Sequence, residues 1–152
     1  MLIVEYQSKS YLRFLNDMPQ VADHKSRFLI TFNGASEPDL LKAVTDLEAY
    51  TKNTVKHSTA INDKVSDGDV TDQFKHAREN QDILLFEGAD ILFDKKADVK
   101  NSHERDNNFN LNNLFKNIAQ HHGMVVLATE KKQTLSASMS TKVDVVIRFP
   151  TA

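Results

Sequence analysis

At 152 residues the chain has the length of one domain, able to bury roughly 68–70% of its unfolded surface with no need of a disulfide or metal. It is 40% hydrophobic and 26% charged, and 19 Lys and Arg against 21 Asp and Glu leave a net charge of −2, which excludes a broad positive field for nucleic acid or an anionic membrane. It has no cysteine, which excludes disulfides, thiolate metal sites and cysteine nucleophiles, and no apolar run nears the ~20 residues of a bilayer span.

In chain order, the short apolar run Met1–Tyr6 lacks the basic flank and small-residue cleavage site of a secretory signal, so a cytoplasmic address is expected. Residues 1–26 read as a helical extension packed on the core through Tyr11, Leu12, Phe14, Leu15 and Met18. Residues 27–152 read as the main domain. Four short runs, Arg27–Phe32, Ile83–Phe86, Met124–Thr129 and Val143–Phe149, are β-branched or aromatic and mostly apolar on both faces, the pattern of strands buried in a parallel sheet. Val55–Ile61 reads as a weaker edge strand. Between them lie three helices. One starts at the N-cap Ser36, with Glu37, Pro38 and Asp39 in its first turn and Leu40, Leu41, Val44 and Leu47 on one face. The second follows the turn Asp67-Gly68-Asp69 and runs from about Val70 to Glu79. The third runs from about Asn107 to His121, with Gly123 as its C-cap. Strand–helix–strand repeated this way implies βαβ crossovers and a three-layer α/β domain. The polar stretch Asp94–Asn110 is the longest expected loop.

Five segments carry a resemblance. ILLFEGADILFDKK at Ile83–Lys96 runs into ADVKNSHERDNN at Ala97–Asn108. Then follow NLNNLFKNI at Asn110–Ile118, VVLATE at Val125–Glu130 and VVIRFP at Val145–Pro150. In order and spacing this run of about 70 residues resembles AAA+ ATPases, most of all the type associated with phage-tail-like contractile injection systems. The resemblance implies a P-loop NTPase-like core with a five-stranded parallel sheet. Numbering its strands from Arg27–Phe32, the implied order is 5-1-4-3-2. It also implies a C-terminal helical lid carrying a second sensor, for which the sequence after Pro150 leaves no residues.

ATP hydrolysis on such a core needs a glycine-rich loop whose amides wrap the phosphates, a lysine, and a Ser/Thr on Mg²⁺. The turn after the first strand reads Asn33-Gly34-Ala35-Ser36-Glu37-Pro38-Asp39, with one glycine and no GK[ST]. Glu37 and Asp39 would stand near a triphosphate, and Pro38 removes a backbone donor. The resemblance places Glu87 at the Walker B aspartate and Gly88 at the water-activating glutamate, a loss worth ~10²–10⁴ in rate. It places Glu130 at the sensor asparagine. Ser140 and Thr141 stand at the arginine fingers, which supply ~10³–10⁵ in rate, and nearby Lys142 lacks the bidentate fork. Asp90 and the loop bearing Asp94, Lys96, His103 and Arg105 are retained, which suggests a contact surface.

The resulting expectation is a degenerate AAA+-like pseudo-ATPase with no cofactor. It would act as an interaction, assembly or regulatory protein on an active AAA+ partner or a contractile-injection-type assembly. Its former nucleotide site would comprise Asn33, Gly34, Glu37, Asp39, Glu87, Gly88, Asp90 and Glu130. The alternative is a weak ATP-binding protein or ATPase using Glu87 and Gly34 in an unusual cradle. A receiver-like or toprim-like domain is a third reading, opposed by the lack of an acidic pair on the first strand. His121-His122 reads as a polar or cationic helix end rather than a metal site, because adjacent helical residues face different ways. Asp63–Asp72 reads as a turn, since it lacks the glutamate of a calcium loop.

Overall fold

A computed structural model describes residues 1–24, 27–58, 67–90, 111–135 and 137–150. Six strands form one sheet: β1 (Leu2–Glu5), β2 (Phe28–Asn33), β3 (Val55–Ser58), β4 (Ile83–Phe86), β5 (Met124–Ala128) and β6 (Val145–Arg148). The helices are α1 (Lys9–His24), α2 (Glu37–Thr51), α3 (Asp67–Asn80), α4 (Leu111–Gln120) and α5 (Ala137–Lys142). The order across the sheet is β1-β6-β2-β5-β4-β3, and every pairing is parallel.

Five of these strands carry the order that the resemblance implied. The sheet has six strands rather than five, because Leu2–Glu5 pairs with Val145–Arg148 in register. Residues 1–24 therefore contribute a strand as well as a helix. Ser8 starts α1, its Oγ accepting from the Tyr11 N–H at 3.2 Å. Tyr11, Phe14, Leu15 and Met18 are buried as the pattern required, but Leu12 is about half exposed.

Side chains alternate along each strand and divide the core into two layers. Ile30 and Phe32 of β2, Met124 and Val126 of β5, and Val145 and Ile147 of β6 face α1 and α2. Leu29, Leu84, Phe86, Val125, Leu127 and Val146 face α3, α4 and α5. Burying each large apolar side chain contributes about 1.5–3 kcal/mol. The β1 edge is tied in by aromatic rings: Tyr6 stacks on Phe149 at 4.5 Å between centroids, and Phe149 meets Phe32 edge-on at 5.5 Å.

Three expectations are corrected locally. Helix α3 begins at Asp67, so Asp67-Gly68-Asp69 is its first turn and not a turn before it. Leu41 of α2 is half exposed, while Ala43 takes a place in the core. Gly123 is not a left-handed cap, since Gly34 and Gly88 are the glycines with positive φ among the described residues. A Cβ on Gly123 would instead meet His121 Nε2 at 2.9 Å, so glycine is there to make room. The described residues contain no helix long and apolar enough to cross a membrane.

Candidate nucleotide-site remnant

Because every strand is parallel, the carboxyl ends of β2, β4 and β5 lie on one edge, where ligands bind in open α/β sheets. A cleft of about 190 Å³ sits there, below the ~300–1,000 Å³ of ordinary ligand pockets. Glu37, Glu87, Gly88 and Glu130 line it, with Ala35 and Thr129. The four charged or catalytic positions read from distant parts of the sequence thus converge. Three of them bring carboxylates.

The turn between β2 and α2 is only Gly34-Ala35-Ser36, against an eight-residue GxxxxGK[ST] motif. Its donors are engaged within the protein. The Gly34 N–H donates to Thr129 Oγ1 at 3.0 Å and the Ala35 N–H to the Thr129 carbonyl at 3.0 Å. Gly34 has φ of 77°, and a Cβ there would press on Lys132 backbone at 3.2 Å. Ser36 caps α2: its Oγ accepts from the Asp39 N–H at 3.4 Å and its carbonyl from the Leu40 N–H at 2.8 Å. Asn33 is buried and holds the loop following Thr129 through both ends of its side-chain amide. Its Oδ1 accepts from the Gln133 N–H at 2.7 Å, and its Nδ2 donates to the Gln133 carbonyl at 2.8 Å. Asp90 grips the same segment, accepting from the N–H groups of Glu130 and Lys131 at 3.0 and 3.1 Å and from Gln133 Nε2 at 3.2 Å.

Asn33 and Gly34 therefore latch the loop after β5 against the β2–α2 turn, and Asp90 holds the same loop from beyond the end of β4. Asp39 does not line the cleft. Its carboxylate acts on Tyr6, whose hydroxyl pKa is raised first by burial and then by Asp39 and Asp46. Glu87 is paired with His57 of β3, Oε2 to Nδ1 at 3.3 Å. Gly88 has φ of 69°, a conformation that L side chains rarely adopt. Among the described residues no three His, Cys, Asp or Glu side chains cluster so as to hold a metal ion. Amides already bonded and a wall of three carboxylates do not fit a magnesium–triphosphate. Sequence reading missed Thr129, Gln133 and His57, whose parts depend on bonds to residues far away in the chain. Asp94, Lys96, His103 and Arg105 lie outside the described residues.

Of the polar or cationic helix end expected at His121-His122, His121 takes the polar form. It follows α4 but is only 3% exposed, and burial, Arg78 and His122 lower its pKa, which favours the neutral ring.

Among solved structures, PCH-2 of C. elegans is similar, at 14% identity and a TM-score of 0.54, over 95% of this chain and 44% of that one. The likeness is one of fold, and the chain spans less than half the length of that protein. No curated protein matches. The family described as "ATPase family associated with various cellular activities (AAA)" matches residues 50–151, which include Glu87, Gly88, Asp90 and Glu130 but not the β2–α2 turn. With well over half of its length matched, the chain belongs to the AAA family.

Proposed function

We propose that this AAA-family chain is a pseudo-ATPase, a non-catalytic module that works as an interaction, assembly or regulatory protein. The observation that carries this reading is the latch at the β2–α2 turn. A triphosphate seated at Gly34 would need the Gly34 and Ala35 amides, which Thr129 already occupies. It would also approach Glu37, Glu87 and Glu130 on the cleft wall. Like charges about 4 Å apart near a surface cost on the order of 4 kcal/mol per pair at an effective dielectric of 20. The turn supplies no lysine of its own to offset that repulsion.

On this reading Asn33, Gly34, Glu37, Asp39, Glu87, Gly88, Asp90 and Glu130 are a former site turned to structural use, and the protein acts without ATP or magnesium. Its partner is a protein, either an active AAA+ subunit or an assembly of the contractile-injection type, in the cytoplasm. The support for that partner is the sequence resemblance over Ile83–Pro150, with the segment bearing Asp94, Lys96, His103 and Arg105 as the contact.

Calorimetric titration with Mg·ATP tests the reading, with phosphate release measured in parallel. No binding tighter than millimolar and no release above buffer are expected. Micromolar binding, or release that disappears in Glu87→Ala, would establish the weak-ATPase alternative instead.

A further inference from the structure

Strand β1 is one edge of the sheet, and no strand among the described residues pairs with its outer side. The Leu2 N–H donates to the Asp144 carbonyl at 2.9 Å and the Tyr6 N–H to the Arg148 carbonyl at 2.8 Å. Peptide groups alternate in direction along a strand. The N–H groups of Ile3 and Glu5 and the carbonyls of Met1, Ile3 and Glu5 therefore point away from β6. The Glu5 carbonyl is already engaged, accepting from the Ser8 N–H at 3.1 Å and from Ser8 Oγ at 2.6 Å. The open groups are thus two donors, on Ile3 and Glu5, and two acceptors, on Met1 and Ile3.

The side chains of this edge are apolar as well. Met1, Leu2 and Ile3 are each more than half exposed, and they form a consecutive run, whereas Leu12 and Leu41 are exposed singly. Leu2 shares a sheet face with Val4, and Ile3 shares the opposite face with Glu5. Proteins usually guard an open edge with lysine, proline or a bulge. Met1–Glu5 holds neither lysine nor proline, and its pairing with Val145–Arg148 runs without a bulge. Its one charged side chain, Glu5, is paired with Arg148, Oε1 to Nη1 at 3.3 Å.

We infer that β1 pairs with β1 of a second copy of this chain, antiparallel about a two-fold axis at Ile3, which joins the two six-stranded sheets into one. A second copy is singled out because the open groups complement themselves. About that axis the Ile3 N–H of each copy meets the Ile3 carbonyl of the other, and the Glu5 N–H meets the Met1 carbonyl of the other. Both donors and both acceptors are then satisfied. The same axis sets Ile3 beside its twin on one face and Leu2 opposite Val4 on the other. It holds the two Glu5 carboxylates four residues apart, roughly 14 Å at ~3.4 Å per residue, which salt screens. The result is an apolar centre with an ion pair at each rim. So small a contact gives micromolar rather than nanomolar affinity. The edge shares no residue with the cleft, so this inference does not rest on the pseudo-ATPase reading.

The test is sedimentation velocity of the full chain over a concentration series, with amide hydrogen exchange followed by NMR along β1. A monomer–dimer equilibrium in the micromolar range is expected, and the Ile3 and Glu5 amides should slow in exchange as the dimer fills. Ile3→Lys, at an exposed position, sets two cations side by side at the axis and is expected to weaken the dimer by roughly tenfold or more. The chain has no cysteine, so Ile3→Cys gives each copy a single thiol. Mild oxidation of that variant is expected to link two chains, because opposed residues of a hydrogen-bonded pair stand about 5.5 Å apart between Cα atoms. A chain that stays monomeric at hundreds of micromolar overturns the proposal and leaves the edge to a strand of another protein. A dimer that Ile3→Lys leaves unchanged, that does not slow the Ile3 and Glu5 amides, or that Ile3→Cys fails to link also overturns it.

Discussion

Gly88 stands where the AAA+ resemblance requires a water-activating glutamate, and its backbone explains why restoring that side chain is not a simple repair. With φ of 69° it sits in the left-handed region, where a Cβ costs about 1–2 kcal/mol. Gly88→Glu is therefore expected to lower unfolding stability by about that amount and to gain no phosphate release, measured by urea denaturation and a phosphate assay. Thr129 carries more than its size suggests. Its Oγ1 accepts from Gly34 and donates to the Lys131 carbonyl at 2.8 Å. Thr129→Val keeps the shape and strands both partners, so a loss of about 1–3 kcal/mol is expected, with most of it recovered in Thr129→Ser. Gly34 was legible as the sole glycine of its turn. Thr129 was not, because a threonine that ends a strand has no sequence mark of the amide it meets 95 residues away.

At the level of elements, the helix signals were strongest where local chemistry decides the outcome. Ser36, Pro38 and the carboxylates of the first turn set the start of α2, and α2 begins at Glu37. Strand β1 had no such signal. Four residues, all but Val4 exposed, form a strand only because β6 offers its edge. Val4 is the anchor, fully buried against the α1 and α2 layer. Val4→Ala is expected to cost roughly 2 kcal/mol by lost methyl burial and the cavity left behind, and to speed hydrogen exchange along β6, read by mass spectrometry. Asp144 ties the sheet at its other end, its Oδ2 accepting from the Leu29 N–H at 2.8 Å across β2 and β6. Its partner Arg27 stands 4.0 Å away and about a third exposed, so the hydrogen bond outweighs the ion pair.

For the molecule as a whole, acid stability passes through His121. Its folded pKa lies below the ordinary 6.5, so the folded state resists the proton that the unfolded chain accepts. The unfolded state then binds more protons below about pH 6.5, and stability falls as pH drops from there through the lowered folded value. Thermal midpoints between pH 7.5 and 5 should show this decline, and His121→Phe should flatten it. A parent whose midpoint rises on acidification would contradict the assignment. The sequence by itself determined the α/β class, five of the strands, the two-sided burial of the sheet and the lack of a GK[ST] in the turn after β2. These rest on local periodicity, caps and residue chemistry, which act within a few positions of the chain. The tertiary structure alone decided the sixth strand, the engagement of the Gly34 and Ala35 amides by Thr129, the convergence of Glu37, Glu87 and Glu130, and the burial of His121. Each of these is a contact between residues distant in sequence, and such contacts form only when packing brings strand ends and helix ends together.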